Sequence, residues 1–164
     1  MVYLDNSATS YPKPQMVVQS VCEAFNRFGS NSGRGAYNMA LETTEQIYLC
    51  RKKLADLFGV SSVENVVLTY NCTSALNMAI KGLGRKGAHF IISDLEHNAV
   101  LRPLAKLKSD GIADFSIACV TKDVYETVQN FRKCINRNTV AIVCTGASNV
   151  FGISESISLI GPII

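Results

Sequence analysis

Apolar residues recur at helical spacing in two stretches of the first 58 residues of the chain. One helix is predicted from Pro12 to about Phe28, where Gly29 ends it. Its apolar face consists of Val18, Val21, Phe25 and Phe28. A second helix is predicted from about Met39 to Phe58, with Gly59 at the position of a C-terminal cap. The stretch between the two helices is a loop by its composition.

The apolar period shortens after Gly59, and short apolar runs then alternate with helical stripes. Buried strands are predicted at Asn65–Thr69, Ala88–Ile92, Phe115–Val120 and Thr139–Cys144. Helices are predicted at Thr73–Leu83, Asn98–Lys108 and Val124–Ile135, the last with Asp123 as N-cap, and a further helix begins near Ile157. This alternation favours parallel βαβ units, and therefore an α/β fold with helices covering the sheet.

The composition is that of one folded domain spanning residues 1–164, with 48% hydrophobic and 18% charged residues. These fractions exclude an intrinsically disordered chain. The net charge of +3 is scattered and Trp is absent, so no nucleic-acid partner is expected. No run approaches the roughly 18 apolar residues of a membrane span, and the first residues do not resemble a signal peptide. We therefore expect a cytoplasmic protein without a membrane partner.

The six cysteines form no Cys-x-x-Cys pair, and neither histidine lies near a cysteine cluster. No metal site is expected on this spacing. Most of the cysteines fall on the apolar side of a predicted helix or strand. The simplest interpretation is a set of buried free thiols in a reducing cytoplasm.

Polar clusters follow three of the predicted strands, at Thr69–Ala75, Ser93–Asn98 and Thr145–Gly152. In open parallel sheets, ligands bind at the carboxyl ends of the strands. Each cluster also has a local explanation: a helix cap at Asn71 or Thr73, a cap or surface histidine at His97, and a polar loop around Asn149. Their occurrence at successive strand ends favours one shared binding site.

A Gly-x-Gly-x-x-Gly pattern at Gly82–Gly87 does not add to this site. A dinucleotide fingerprint follows a strand and opens a helix, whereas this pattern follows a helix and precedes a strand. A helix stop and a turn are therefore predicted here.

Five segments, taken in order, resemble the class V aminotransferase-like enzymes that depend on pyridoxal phosphate, and in particular the cysteine desulfurase and selenocysteine lyase branch. The segments are Tyr3–Pro14, Ser32–Tyr37, Asn71–Thr73, Glu96–Asn98 and Ala147–Gly152. They correspond to the family's amino-terminal motif, Arg-Gly loop, phosphate-cup turn, Glu-His motif and Ser-Asn-Val-x-Gly motif. Together they span the chain.

The resemblance implies part of the large domain of fold type I, a three-layer architecture with a mostly parallel sheet, here incomplete. It also implies pyridoxal 5'-phosphate as cofactor. The implied cofactor-binding residues are Asn71, Cys72, Thr73, His97 and Asn149. Cys72 and Thr73 would hold the phosphate, His97 would stack on the ring, and Asn149 would lie near the ring oxygen and the substrate carboxylate. The family's reaction takes sulfur from cysteine and leaves alanine and an enzyme persulfide.

Two substitutions depart from the family pattern: Ser74 replaces a usual acidic residue, and Gly146 replaces a frequent histidine. The family's cofactor lysine and its pyridine-binding aspartate follow the Asn149 motif, but residues 150–164 contain neither Lys nor Asp. No residue of this chain is therefore assigned as catalytic, and the chain alone is expected to be inactive. A homodimer or a complementing carboxyl-terminal half is the expected partner. A split enzyme and a noncatalytic phosphate-binding module remain alternatives.

Overall fold

The chain divides after Leu68 into two compact units. The computed structural model describes residues 2–154 and 157–161. Whether the chain forms one incomplete large domain, as the sequence predicts, stays a prediction.

The amino-terminal unit consists of helices. Helix α1 spans Gln15–Arg27 and helix α2 spans Asn38–Phe58, which confirms both predicted helices. Helix α2 ends at Gly59, whose φ of 66° is the left-handed conformation that glycine adopts without strain. The buried hydroxyl of Thr43 donates to the Phe28 carbonyl at 3.1 Å and so ties α2 to the end of α1.

The strand predicted at Asn65–Thr69 is wrong. Val63–Asn65 forms a short 3-10 turn, and within the described chain no strand pairs with the residues that follow it. Instead, Nε of Arg51 donates a hydrogen bond to the carbonyl oxygen of Val66 at 2.8 Å. An apolar run becomes a strand only where a neighbouring strand supplies hydrogen bonds, and the described residues supply none here.

A three-stranded parallel sheet forms the centre of the carboxyl-terminal unit. Strand β1 spans Ala88–Ser93, β2 spans Ala113–Ala118 and β3 spans Thr139–Val143, in the order β2-β1-β3. The central strand β1 is buried along its whole length. Three of the four strands predicted after Gly59 are thus confirmed, and with them the α/β class.

Helices cover both faces of this sheet. Successive side chains of β1 point to opposite faces, so both sets are buried. Phe90 and Ile92 pack against α3 (Cys72–Leu83) and α4 (Asn98–Ser109). Ile91 packs on the other side against α5 (Val124–Cys134) and the short helix α6 (Ile157–Ile160). The predicted helices are thus confirmed, as is the cap by Asp123, whose carboxylate accepts from Tyr125 and Glu126.

Two further expectations need adjustment. Strand β2 begins and ends two residues earlier than predicted. Beyond its end, the N–H of Val120 bonds to the Asp94 carboxylate at 3.0 Å instead of continuing the ladder. The cysteines are not buried: Cys22, Cys50, Cys72 and Cys119 are exposed, and Cys134 and Cys144 are half-buried. An apolar position on a helix stripe is buried only where another element packs on it.

The Gly82–Gly87 segment behaves as predicted, with α3 ending at Leu83 and β1 beginning at Ala88. Among the described residues, no helix is both long and apolar enough to cross a membrane.

Candidate functional site

The loops that follow β1 and β3 enclose a common cavity at the carboxyl edge of the sheet. Its volume is about 160 Å³, and it is lined by residues 94–98 and 148–151. The two strands are neighbours, and their pairing extends to Ile92 opposite Val143. The structure therefore brings His97 and Asn149 to one cavity, as the strand-end clusters suggested.

His97 lies at the start of α4 with its ring exposed. Its Nδ1 accepts a hydrogen bond from the N–H of Ala99 at 3.0 Å, so the neutral ring carries its proton on Nε2. The histidine is thus a helix cap and a cavity wall at once. The cap fixes the ring orientation, and the exposed face remains accessible to a planar ligand.

Asn149 lies in a closed turn that starts from the buried Ser148. The N–H of Ser148 donates to Ile153 at 2.8 Å, and Gly152 donates back to the Ser148 carbonyl at 2.9 Å. Gly152 has a φ of 66°, which the turn requires. The turn is held by its own backbone, and the Asn149 side chain is presented outward and exposed.

The Asn71–Thr73 turn does not line this cavity. Asn71 caps α3, its Oδ1 accepting from Ser74 at 2.8 Å. The N–H groups at the start of an α-helix have no partner within the helix, and Asn71 uses only one of them. The exposed Cys72 and Thr73 therefore open the helix with free N–H groups, a hydroxyl and the positive end of the helix dipole, which together suit an anion.

Two carboxylates after β1 accept hydrogen bonds from residues just beyond the ends of the neighbouring strands β3 and β2. Glu96 Oε1 accepts from the Ser93 hydroxyl at 2.6 Å and from the Thr145 N–H at 2.7 Å. Asp94 bonds on the other side, toward β2. Sequence reasoning assigned neither residue a role, since the Glu96 contact with Thr145 joins positions 49 residues apart.

Cys119 lies next to Asp94. The hydrogen bond to the Asp94 carboxylate is the main cause that raises the pKa of the Cys119 thiol, and the negative charge of Asp94 adds to it. A raised pKa keeps the group in its thiol form at neutral pH, and thiols are poor nucleophiles. Within the described part of the chain, no three His, Cys, Asp or Glu side chains are grouped closely enough to hold a metal ion.

The family model Aminotransferase class-V matches residues 2–164. The chain belongs to this family. It is 30% identical over 163 residues to a probable cysteine desulfurase of Methanothermobacter thermautotrophicus, an alignment that covers 99% of this chain and 40% of that protein. It is 33% identical over 168 residues to the cysteine desulfurase IscS of Methanosarcina thermophila, with the same two coverages.

Among solved structures, the protein SspA in complex with cysteine superimposes with a TM-score of 0.83 at 27% identity, over 99% of this chain and 47% of that one. This class-V aminotransferase-like chain thus has the fold of the amino-terminal portion of fold type I enzymes. The chain spans about 40% of the length of the curated relatives it matches.

Class-V aminotransferase-like enzymes depend on pyridoxal phosphate. The residues described above fit part of the pyridoxal phosphate molecule. An exposed imidazole borders a cavity of about 160 Å³, well below the roughly 300–1,000 Å³ of sites that enclose a whole drug-sized ligand. The cavity therefore has room for only part of the cofactor, and the start of α3 at Cys72, which does not line the cavity, offers N–H groups that suit a phosphate.

Proposed function

We propose that this chain provides the phosphate-binding turn and the ring-stacking wall of a cysteine desulfurase that uses pyridoxal phosphate. The observation that carries the proposal is the cavity shared by His97 and Asn149 at the carboxyl edge of the sheet. The cysteine desulfurases among its relatives support the reaction class, and the cysteine bound to SspA supports the substrate.

Each residue has a role that its position permits. Cys72 and Thr73 bind the phosphate through backbone N–H groups and the Thr73 hydroxyl, and Asn71 holds that turn by capping α3. His97 stacks on the ring in the orientation that its bond from Ala99 fixes. Asn149 donates to the ring oxygen or the substrate carboxylate. When bound, the cofactor draws electron density from the substrate Cα, which is the chemistry that side chains alone lack.

The lysine that binds the cofactor covalently is proposed to come from outside these residues, because residues 150–164 contain no lysine. On this proposal residues 1–164 supply noncovalent contacts to the cofactor. A complementing carboxyl-terminal portion or a second copy is the proposed partner. Support comes from β3, whose outer edge is unpaired within the described residues, and from the exposed Val67 and Leu68.

A cytoplasmic location is part of the proposal. Its support is the four exposed thiols of Cys22, Cys50, Cys72 and Cys119, since exposed thiols persist in a reducing compartment.

Titration of the chain with pyridoxal phosphate, followed by calorimetry and by the absorbance of the cofactor, tests the proposal. Thr73→Ala is expected to weaken binding by about 10- to 100-fold, since a hydrogen bond to a charged group contributes about 1.5–3 kcal/mol. Ser109→Ala is the matched control, because it also removes one hydroxyl but lies at the end of α4 that is opposite His97. This variant is expected to bind like the unmodified chain. Absence of any binding to the unmodified chain would contradict the proposal.

A further inference from the structure

A single carboxylate oxygen joins the two loops that form the cavity. The pairing of β1 with β3 extends to Ile92 opposite Val143. Beyond that pair, Glu96 Oε1 accepts from the Thr145 N–H at 2.7 Å, across 49 positions of sequence. The same oxygen accepts from the Ser93 hydroxyl at 2.6 Å.

The Ser93 bond anchors this carboxylate in the sheet. Ser93 is the last residue of β1, and only 1% of its surface is exposed. A hydroxyl so buried needs a partner, and Glu96 supplies it. The carboxylate is therefore held at a fixed point above the strand end, and Thr145 is bound to that point.

The ligand-facing residues lie directly beside these anchors. His97 follows Glu96 in the chain, and its ring is oriented by the bond from Ala99. Asn149 lies four residues after Thr145, in the turn that Ser148 closes. Each side of the cavity is thus locally rigid, and the Thr145–Glu96 bond sets the position of one side relative to the other.

We propose that Glu96 is the positioning residue that sets the separation of His97 and Asn149 across the cavity, by joining the end of β1 to the start of the loop after β3. The inference rests on the proposed function for its ligand, but its structural content stands without a ligand. Glu96 itself belongs to the cavity lining, and the role proposed for it is the bond to Thr145 and not a contact with substrate or cofactor.

The geometry predicts which substitutions preserve this role. Both bonds end on one oxygen, so the carbonyl oxygen of glutamine can accept them as well. Glu96→Gln is therefore expected to retain the arrangement. Glu96→Ala removes the acceptor, and Glu96→Asp keeps the charge but withdraws the oxygen by one methylene, so both are expected to lose it.

The first measurement is amide NMR and hydrogen exchange on the ligand-free chain. Glu96→Ala and Glu96→Asp are expected to shift the amide signals of Thr145 and Asn149 and to speed exchange at Thr145 at least about tenfold, a loss of 1.4 kcal/mol in local protection. Glu96→Gln is expected to leave both signals near their original positions.

Asp123→Ala is the matched control, since Asp123 is also a carboxylate with one oxygen that accepts two hydrogen bonds, here at the start of α5. It is expected to change neither Thr145 nor Asn149. Unchanged signals in Glu96→Ala and Glu96→Asp, or equal shifts in Asp123→Ala, would overturn the proposal. Should Glu96→Ala not fold, Glu96→Asp and Glu96→Gln decide the question.

The second measurement is titration with pyridoxal phosphate. Binding is expected to weaken about tenfold in Glu96→Ala and Glu96→Asp and to recover in Glu96→Gln. Equal affinity of all variants overturns the positioning role even if the NMR signals move. If the unmodified chain binds no cofactor, the proposed function fails, and the NMR comparison alone then confirms or rejects the arrangement.

Discussion

The two compact units of this chain hold their helices in place by different means. The carboxyl-terminal unit surrounds the buried strand β1 with helices, and its three longer helices, α3, α4 and α5, begin at the side-chain caps Asn71, His97 and Asp123. The helices α1 and α2 of the amino-terminal unit have no such cap. The comparison shows that helical periodicity alone does not tell which helices rest on a core.

Burial separates the two units even more clearly. Among the described residues before Thr69, only Ala40, Thr43 and Ala55 are buried. The apolar face of α1 is exposed, and Phe25 has 80% of its surface accessible. Phe90 in β1 has none. Because hydrophobic stabilisation scales with apolar area removed from water, the carboxyl-terminal unit contributes most of the stability.

The largest expected effect comes from removing one phenylalanine in each unit. Phe90→Ala is expected to lower the free energy of unfolding by about 3–5 kcal/mol, because it leaves a cavity between α3, α4 and the sheet. Phe25→Ala is expected to change it by less than about 0.5 kcal/mol. Urea denaturation followed by circular dichroism measures both, and similar losses would show that the face of α1 is covered in solution.

The helix caps give the next effect. Asp123→Ala is expected to cost about 1 kcal/mol, because the N–H groups of Tyr125 and Glu126 lose their acceptor. Asp123→Asn keeps an acceptor and is expected to cost less. In the amino-terminal unit, Tyr37 has the extended backbone of an N-cap without a capping side chain, so Tyr37→Asp is expected to stabilise α2. Urea denaturation measures the free energy of unfolding of all three variants. A lower free energy of unfolding for Tyr37→Asp would show that the unit tolerates no capping side chain at this position.

The smallest effect concerns pH. The hydrogen bond from Lys108, together with the N–H of Phe115 and nearby positive charge, lowers the pKa of Asp114 below 3.8. A lowered folded-state pKa stabilises the protein above the unfolded value, and this contribution disappears as the pH falls through the folded value. The pair is exposed, so the contribution is below about 1 kcal/mol.

Comparing the unmodified chain with Lys108→Met between pH 2 and 6 measures this contribution. The difference in stability is expected to be present near pH 6 and absent near pH 2. If the difference in stability stays constant across this range, its cause is the contact of Lys108 with the Phe115 ring and not the ion pair.

Local patterns predicted the elements well wherever a residue's role depends on its sequence neighbours. The cap by Asp123, the stop at Gly59 and the reversed glycine pattern before β1 all depend on such neighbours, and all were confirmed. The strand at Asn65–Thr69 failed because a strand depends on a partner elsewhere. The buried cysteines failed for the same reason, since burial needs an opposing element.

The sequence by itself determined the alternation of helices and strands, the family, and the identity of the polar residues at the strand ends, because these follow from periodicity, capping chemistry and ordered motifs. The tertiary structure decided which strand ends meet. The order β2-β1-β3 places the loops after β1 and β3 side by side, which allows Glu96 to accept a hydrogen bond from Thr145. No rule of sequence spacing predicts this bond. Contacts between distant positions depend on strand order, which local patterns do not encode.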